Sequence, residues 1–193
     1  MKISAFLNGL LQDRKRWSLV LCSLMILGGV WIWISAVPAS ATTGGEIPSP
    51  REGFAAPSFS LETLDGGAVS LGDLQGKVVI VNLWATWCPP CRAEMPAIER
   101  VYQANADQGL EILAIHTTFQ DSQEAAQAFV QDLGLTFPVL LDRNGDISRQ
   151  YQLRALPSTY FIDRNGVIQR VVIGGPMSEA TLETSVQELL RED

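Results

Sequence analysis

Cys88 and Cys91 are two of only three cysteines in the 193-residue chain, and they flank a Pro-Pro pair in NLWATWCPPCRAEMP, residues 82–96. A Cys-x-x-Cys unit can bind a metal, staple a fold or exchange electrons. A structural zinc needs four ligands, and the remaining thiol and imidazole inventory is Cys22, inside an apolar run, and His116. Zinc is short of partners, so neither a metal nor another cofactor is expected. A staple between residues three apart closes a tiny loop and restricts little chain entropy, an inefficient use of a disulfide. Electron exchange has a physical cause in the flanking sequence. A strand ending at Trp84 and a helix starting near Pro89 place Cys88 at the helix N-cap, where free N–H groups and the helix dipole favour a thiolate. Pro89 suits the first helical position, which needs no donor. Cys88 is then the expected nucleophile and Cys91, one turn further in and shielded by the helix, the resolving thiol of a redox-active Cys88–Cys91 pair.

The surrounding elements follow from pattern. KVVIVNLWA is a nearly unbroken apolar, β-branched run, as a strand buried on both faces would be. From Pro90 to about Gln108, Met95, Ile98, Val101 and Tyr102 recur at helical spacing, and LEILAIHTT is again strand-like, which implies a parallel pairing across the helix. DSQEAAQAFVQDLGL reads as a second helix, capped by Asp121 or Ser122 and closed by Gly134. FPVLLD supplies a short strand, GDISRQYQL a short helix, and STYFIDRNGVIQRVVIGG two strands joined by a turn at 163–166, before a terminal helix over about 178–191. FSLETLDGGAVSL alternates around Asp65-Gly66-Gly67 and predicts a β-hairpin at the start of the domain. The expectation is an α/β fold with a mixed central sheet flanked by helices and an added N-terminal hairpin.

VVIVNLWATWCPPCRAEMP followed by LPSTYFIDRNG resembles the thioredoxin fold, and specifically the TlpA/ResA-like membrane-anchored thiol-disulfide oxidoreductases, over about residues 54–190. The W-C-x-x-C segment, Pro96 five residues after Cys91, and Pro157 match in order and spacing. By that resemblance Pro157 is a cis-proline set against the disulfide, turning the backbone of Leu156 toward an extended substrate. Trp87 should offer an apolar docking wall beside Cys88, so Trp87, Pro89 and Leu156 form the expected substrate-binding set. Where classical thioredoxins have a buried Asp six residues before the first cysteine, this chain has Asn82, which cannot take up a proton at neutral pH. The resembling group has a glutamate at the position of Glu94, which is therefore expected to tune or relay the proton of Cys91. The plainer reading of Glu94 is a first-turn acid favoured by the helix dipole. His116 is read as structural.

Acidic residues outnumber basic ones by 21 to 14, a formal net charge of −7, which disfavours nucleic acid as a partner. Residues 17–37 carry no charge and follow Arg14, Lys15 and Arg16, so the positive-inside bias sends the rest of the chain across a membrane. Residues 1–41 are expected to be an uncleaved signal-anchor, or a signal peptide cleaved after the small residues at 39–41. Leu21 before Cys22 argues against lipid modification there. Residues 42–57, rich in Gly, Pro, Ser and Thr, read as a flexible linker, and 58–193 as the domain. The resemblance implies a reductase of protein disulfides, fed by an integral-membrane thiol donor and acting for example in cytochrome c maturation. Two rivals stand beside it. APSFSLETLDGGAVSLGDLQGKVVIVNLWATWC also resembles the opening of peroxiredoxins, although Ala85 and Ile80 occupy the positions where those proteins carry a hydroxyl residue and a proline. A thioredoxin-like binding or chaperone module would not need the intact cysteine pair.

Overall fold

The computed structural model describes residues 14–35 and 48–191, which belong to two units divided between Ala41 and Thr42. The first holds helix α1 (Arg14–Ser35). Its side chains from Trp17 to Trp31 are exposed all round, Leu24, Met25, Ile26 and Leu27 among them. Among the described residues no helix is long and apolar enough to cross a membrane. The uncharged run 17–37 extends past the residues whose side chains are described, and the expected cleavage site near Ala41 also lies outside the described residues.

In the second unit, seven consecutive buried residues form strand β3 (Val78–Trp84). Its even members Val78, Ile80 and Trp84 join one core cluster, and its odd members Val79, Val81 and Leu83 join the other. Because side chains alternate across a strand, that division is what a strand covered on both faces requires. β4 (Leu110–His116) runs parallel to it, in a register that brings Trp84 beside His116 at the carboxyl edge. β5 (Val139–Leu141) is parallel to β4. On the other side, β6 (Ser158–Ile162) is antiparallel to β3, and β7 (Ile168–Ile173) is antiparallel to β6. Among the described residues the sheet order is therefore β5-β4-β3-β6-β7. The hairpin of β1 (Ser60–Glu62) and β2 (Ala68–Ser70) forms as expected, with Gly66 at φ +89° in its turn. It reaches the large sheet through the bridge Thr63↔Leu140.

Helix α2 (Pro89–Asn105) makes the crossover from β3 to β4, ending three residues before the expected boundary because a 3-10 turn, Ala106–Gln108, finishes it. Helix α3 (Gln123–Leu133) is capped by Ser122, whose Oγ accepts from the Ala125 amide, and closed by Gly134 in the left-handed region. The short α4 (Asp146–Gln150) and the terminal α5 (Glu179–Arg191) complete the unit.

The linker expectation is corrected over its described part. Residues 48–57 are pinned to the outer edge of β7: the Gly53 amide donates to the Ile168 carbonyl, the Ile168 amide to Phe54, and the Ala56 amide to Gly166. The Glu52 carboxylate accepts from the Val171 amide. An edge strand presents unpaired backbone groups, and this segment satisfies several of them, so its Gly/Pro composition marks turns rather than freedom. Residues 42–47 lie outside the described residues.

Candidate active site

Strand β3 delivers the chain to the carboxyl edge of the sheet, and after the four residues 85–88 α2 begins. Cys88 is the N-cap residue, with extended backbone (φ −89°, ψ 106°), and its Sγ accepts from the Cys91 amide at 3.3 Å. Pro89 and Pro90 hold the first two helical positions, so the first available helix N–H is the one aimed at the Cys88 sulfur. Cys88 and Cys91 are joined in a disulfide with Cα atoms 5.3 Å apart. Cys88 is 3 % exposed and Cys91 is fully buried, so the N-cap cysteine is the less enclosed of the two. Trp87, next to it, is 55 % exposed, and Pro89 is exposed as well.

Two further segments close on the pair. The Leu156–Pro157 bond is cis, as is Gly175–Pro176. Pro157 is buried at the head of β6, and its carbonyl accepts from the Gly174 amide at 2.7 Å. Leu156 is half-buried against the core that contains Cys88, Cys91 and Met177. A Cβ built on Gly175 would lie 2.9 Å from Pro157 Cγ and 3.0 Å from Glu94 Oε2, so the proline ring and the glutamate flank one point.

Glu94 is not a solvent-facing first-turn acid. It is 2 % exposed, its Oε1 accepts from Asn82 Nδ2 at 2.9 Å and its Oε2 from the Met177 amide at 3.0 Å. Asn82 faces α2 because it shares a strand face with Ile80 and Trp84. Its Nδ2 also donates to Thr159 Oγ1, while its buried Oδ1 has no hydrogen-bond partner among the described residues. Burial pushes the Glu94 carboxyl above the ordinary carboxylate range, and the Met177 and Asn82 donors lower it only in part. Glu94 lies three residues, about one helical turn, after Cys91, on the same helix face. A carboxyl group biased toward its neutral form beside a buried thiol can hold a proton for that thiol.

One constellation was invisible in the sequence. Asp121, a candidate cap for α3, gives that role to Ser122 and instead accepts from Thr86 N at 2.6 Å, Thr86 Oγ1 at 2.7 Å and His116 Nε2 at 3.0 Å. Thr86 belongs to the turn between β3 and Cys88. The structural reading of His116 fits its complete burial, but its partner touches the active-site turn. Nothing in the spacing of residues 35 positions apart could signal this; only the parallel register of β3 and β4 brings them together.

Comparison with known proteins agrees with the architecture. Residues 53–171 match the AhpC/TSA family. The chain is 36% identical over 167 residues to the thiol-disulfide oxidoreductase ResA of Oceanobacillus iheyensis, covering 84% of this chain and 85% of that protein. It is 45% identical over 125 residues to the thioredoxin-like protein YneN of Bacillus subtilis, covering 64% of this chain and 72% of that one. A secreted disulfide oxidoreductase of Mycobacterium tuberculosis, homologous to Escherichia coli DsbE, superposes with a TM-score of 0.63 at 31% identity over 68% of this chain and 96% of its own. The mixed sheet is thus a thioredoxin fold, the activity is thiol-disulfide exchange, and the chain belongs to the TlpA/ResA-like thiol-disulfide oxidoreductases of the thioredoxin superfamily.

Proposed function

We propose that this protein reduces protein disulfides on the extracytoplasmic side of a membrane, through dithiol-disulfide exchange at Cys88 and Cys91. The observation that carries the reading is the placement of the cysteine pair: a nearly buried N-cap cysteine next to an exposed tryptophan, bonded to a fully buried partner one turn into the helix. In the dithiol form the Cys88 thiolate attacks a substrate disulfide, forming a Cys88–substrate bond and releasing one substrate thiolate, which takes up a proton. Cys91 then loses its proton and attacks Cys88 Sγ, re-forming the internal disulfide and releasing the second substrate thiol. Two electrons pass from the protein to the substrate. Glu94 receives the Cys91 proton, Leu156 before cis-Pro157 offers its backbone to an extended substrate, and Trp87 with Pro89 forms the docking wall.

The reductant direction follows from the resemblance to the TlpA/ResA-like group, whose members commonly deliver electrons outside the cytoplasm, and a buried acid stands one turn beyond Cys91. Placement outside the cytoplasm rests on the uncharged run 17–37 and the basic residues before it. An integral-membrane thiol carrier would supply the electrons, and cysteines of apocytochrome c are a suitable substrate. Removal of residues 1–41 should release the protein from a membrane fraction; unaltered association would remove the anchor from the account.

Trapping tests the chemistry. Cys91→Ser should accumulate a mixed disulfide with substrate at Cys88, and Cys88→Ser should form none. If Cys88→Ala left biological activity intact, the binding-module reading would gain. The AhpC/TSA match favours thiol peroxidase as a second reading. Ala85, fully buried three residues before Cys88, places no side-chain hydroxyl there, and consumption of hydrogen peroxide at a catalytic rate with a thiol donor is the result that would restore it.

A further inference from the structure

The turn 85–88 carries both groups that meet a substrate, the Cys88 sulfur and the exposed Trp87 ring. A half-exposed ring has little packing to fix it, so its direction follows the backbone on either side. On the helix side, Cys88 is the cap of α2 and its carbonyl accepts from the Arg92 amide at 3.1 Å. On the strand side, the Trp84 carbonyl accepts from both the amide and the hydroxyl of Thr117. Between them stands Thr86. Its carbonyl accepts from Arg92 Nη1 at 3.3 Å, and its amide and hydroxyl both end on the Asp121 carboxylate.

Asp121 is itself held from two directions. Oδ1 accepts from the Ser122 amide at 2.8 Å, and Oδ2 meets His116 Nε2 at 3.0 Å. A carboxylate only accepts, so Nε2 carries a hydrogen. The Thr118 hydroxyl stands 3.1 Å from Nδ1 and donates to the His116 carbonyl. The His116 side chain is completely buried and that of Asp121 is 8 % exposed. The hydrogen bonds from Thr86, His116 and Ser122 keep the carboxyl below its ordinary range despite the opposing effect of burial, so it stays an acceptor at neutral pH. A merely decorative surface acid would have neither the buried imidazole behind it nor two donors of one residue in front.

We propose that Asp121, oriented by His116, is a positioning residue for the exchange reaction: through Thr86 it fixes the turn that presents Cys88 and Trp87 to the substrate disulfide. This rests on the reading of Cys88 as the attacking thiol. Asp121→Asn keeps the shape but offers one acceptor oxygen where two are used, and its amide group would face donors. His116→Leu removes the orienting N–H, whereas His116→Gln retains an N–H near that position. Thr86→Val deletes the hydroxyl contact and leaves the amide contact in place.

The test is the second-order rate constant for reduction of a disulfide-linked peptide by the dithiol form of the full chain. It is expressed per folded molecule, with the Cys88/Cys91 equilibrium against glutathione measured in parallel. Misplacement of a reacting group by about 1 Å can cost up to about a hundredfold, so Asp121→Asn and His116→Leu should each slow the reaction about tenfold, Thr86→Val less, and His116→Gln should keep the native rate. The equilibrium with glutathione should stay the same throughout, because position rather than sulfur electronics has changed. If Asp121→Asn and Thr86→Val lose stability while their rates per folded molecule stay native, the positioning role is overturned; should Asp121→Asn not fold, Thr86→Val decides alone. Cys88→Ala separates this from the underlying reading: if it still exchanges, the assignment of Cys88 fails, whatever Asp121 does.

Discussion

Glu94 concentrates the residue-scale chemistry. Both of its oxygens accept, one from Asn82 and one from the Met177 amide, and glutamine can supply only one such oxygen. Glu94→Gln should therefore cost about 1–3 kcal/mol in the oxidised protein, the penalty for an unsatisfied buried group. The cost should also depend on pH. Burial raises the carboxyl's pKa in the folded state above its unfolded value, so the native protein binds the proton more tightly, and its stability is fullest in acid and falls as pH rises between the two values. The glutamine variant lacks that loss, so the gap between the two urea midpoints should shrink as pH rises through this range; a constant gap would contradict the burial effect. If the proton relay also holds, the variant will shift the pH dependence of exchange. Gly175 is the second residue with a sharp expectation. A methyl group there meets Pro157, Glu94 and the Met177 amide at 2.9–3.3 Å, so Gly175→Ala should destabilise by about 1–3 kcal/mol, as overpacking does, and a native urea midpoint would contradict the contact. Cys88, Cys91 and Trp87 could be singled out from the sequence because their types and spacing are local, and Pro157 only through the family resemblance. The Met177 amide, Gly175 and the Asp121–Thr86 contact were not legible, since each is a meeting of segments that only the closed fold brings together.

At the scale of elements, hydrophobic period gave the strands and helices their places. An unbroken apolar run predicted the fully buried β3, and the separation of its odd and even members into two cores follows. Two local competitions are decided only in the closed fold. Asp121 and Ser122 both suit an N-cap; Ser122 takes it because Asp121 has donors on Thr86 and His116. Gly, Pro and Ser over residues 48–57 read as a linker, yet the free edge of β7 offers backbone partners that fix part of that segment. Composition records the cost of ordering a chain, not the partner that compensates it. Ser122→Ala should lower stability by about 1 kcal/mol, the usual value of a lost side-chain cap, measured by urea unfolding. An unchanged midpoint would mean that the cap bond to Ala125 contributes nothing net.

For the whole molecule, the parallel register of β3 and β4, the antiparallel return of β6, and the entry into α2 bring together at one edge of the sheet an N-cap sulfur, a more deeply buried sulfur, a buried acid and a cis-proline. That arrangement serves exchange in either direction, and a reductase must pass electrons outward from the Cys88/Cys91 pair. The direction is read from the reduction potential of that pair, measured by equilibrating the protein in glutathione buffers and quantifying the dithiol fraction. A reductant should lie below the glutathione poise, near the thioredoxin value of about −270 mV. A value near about −120 mV, where strongly oxidising pairs lie, would make the protein an oxidant and contradict the reductase reading.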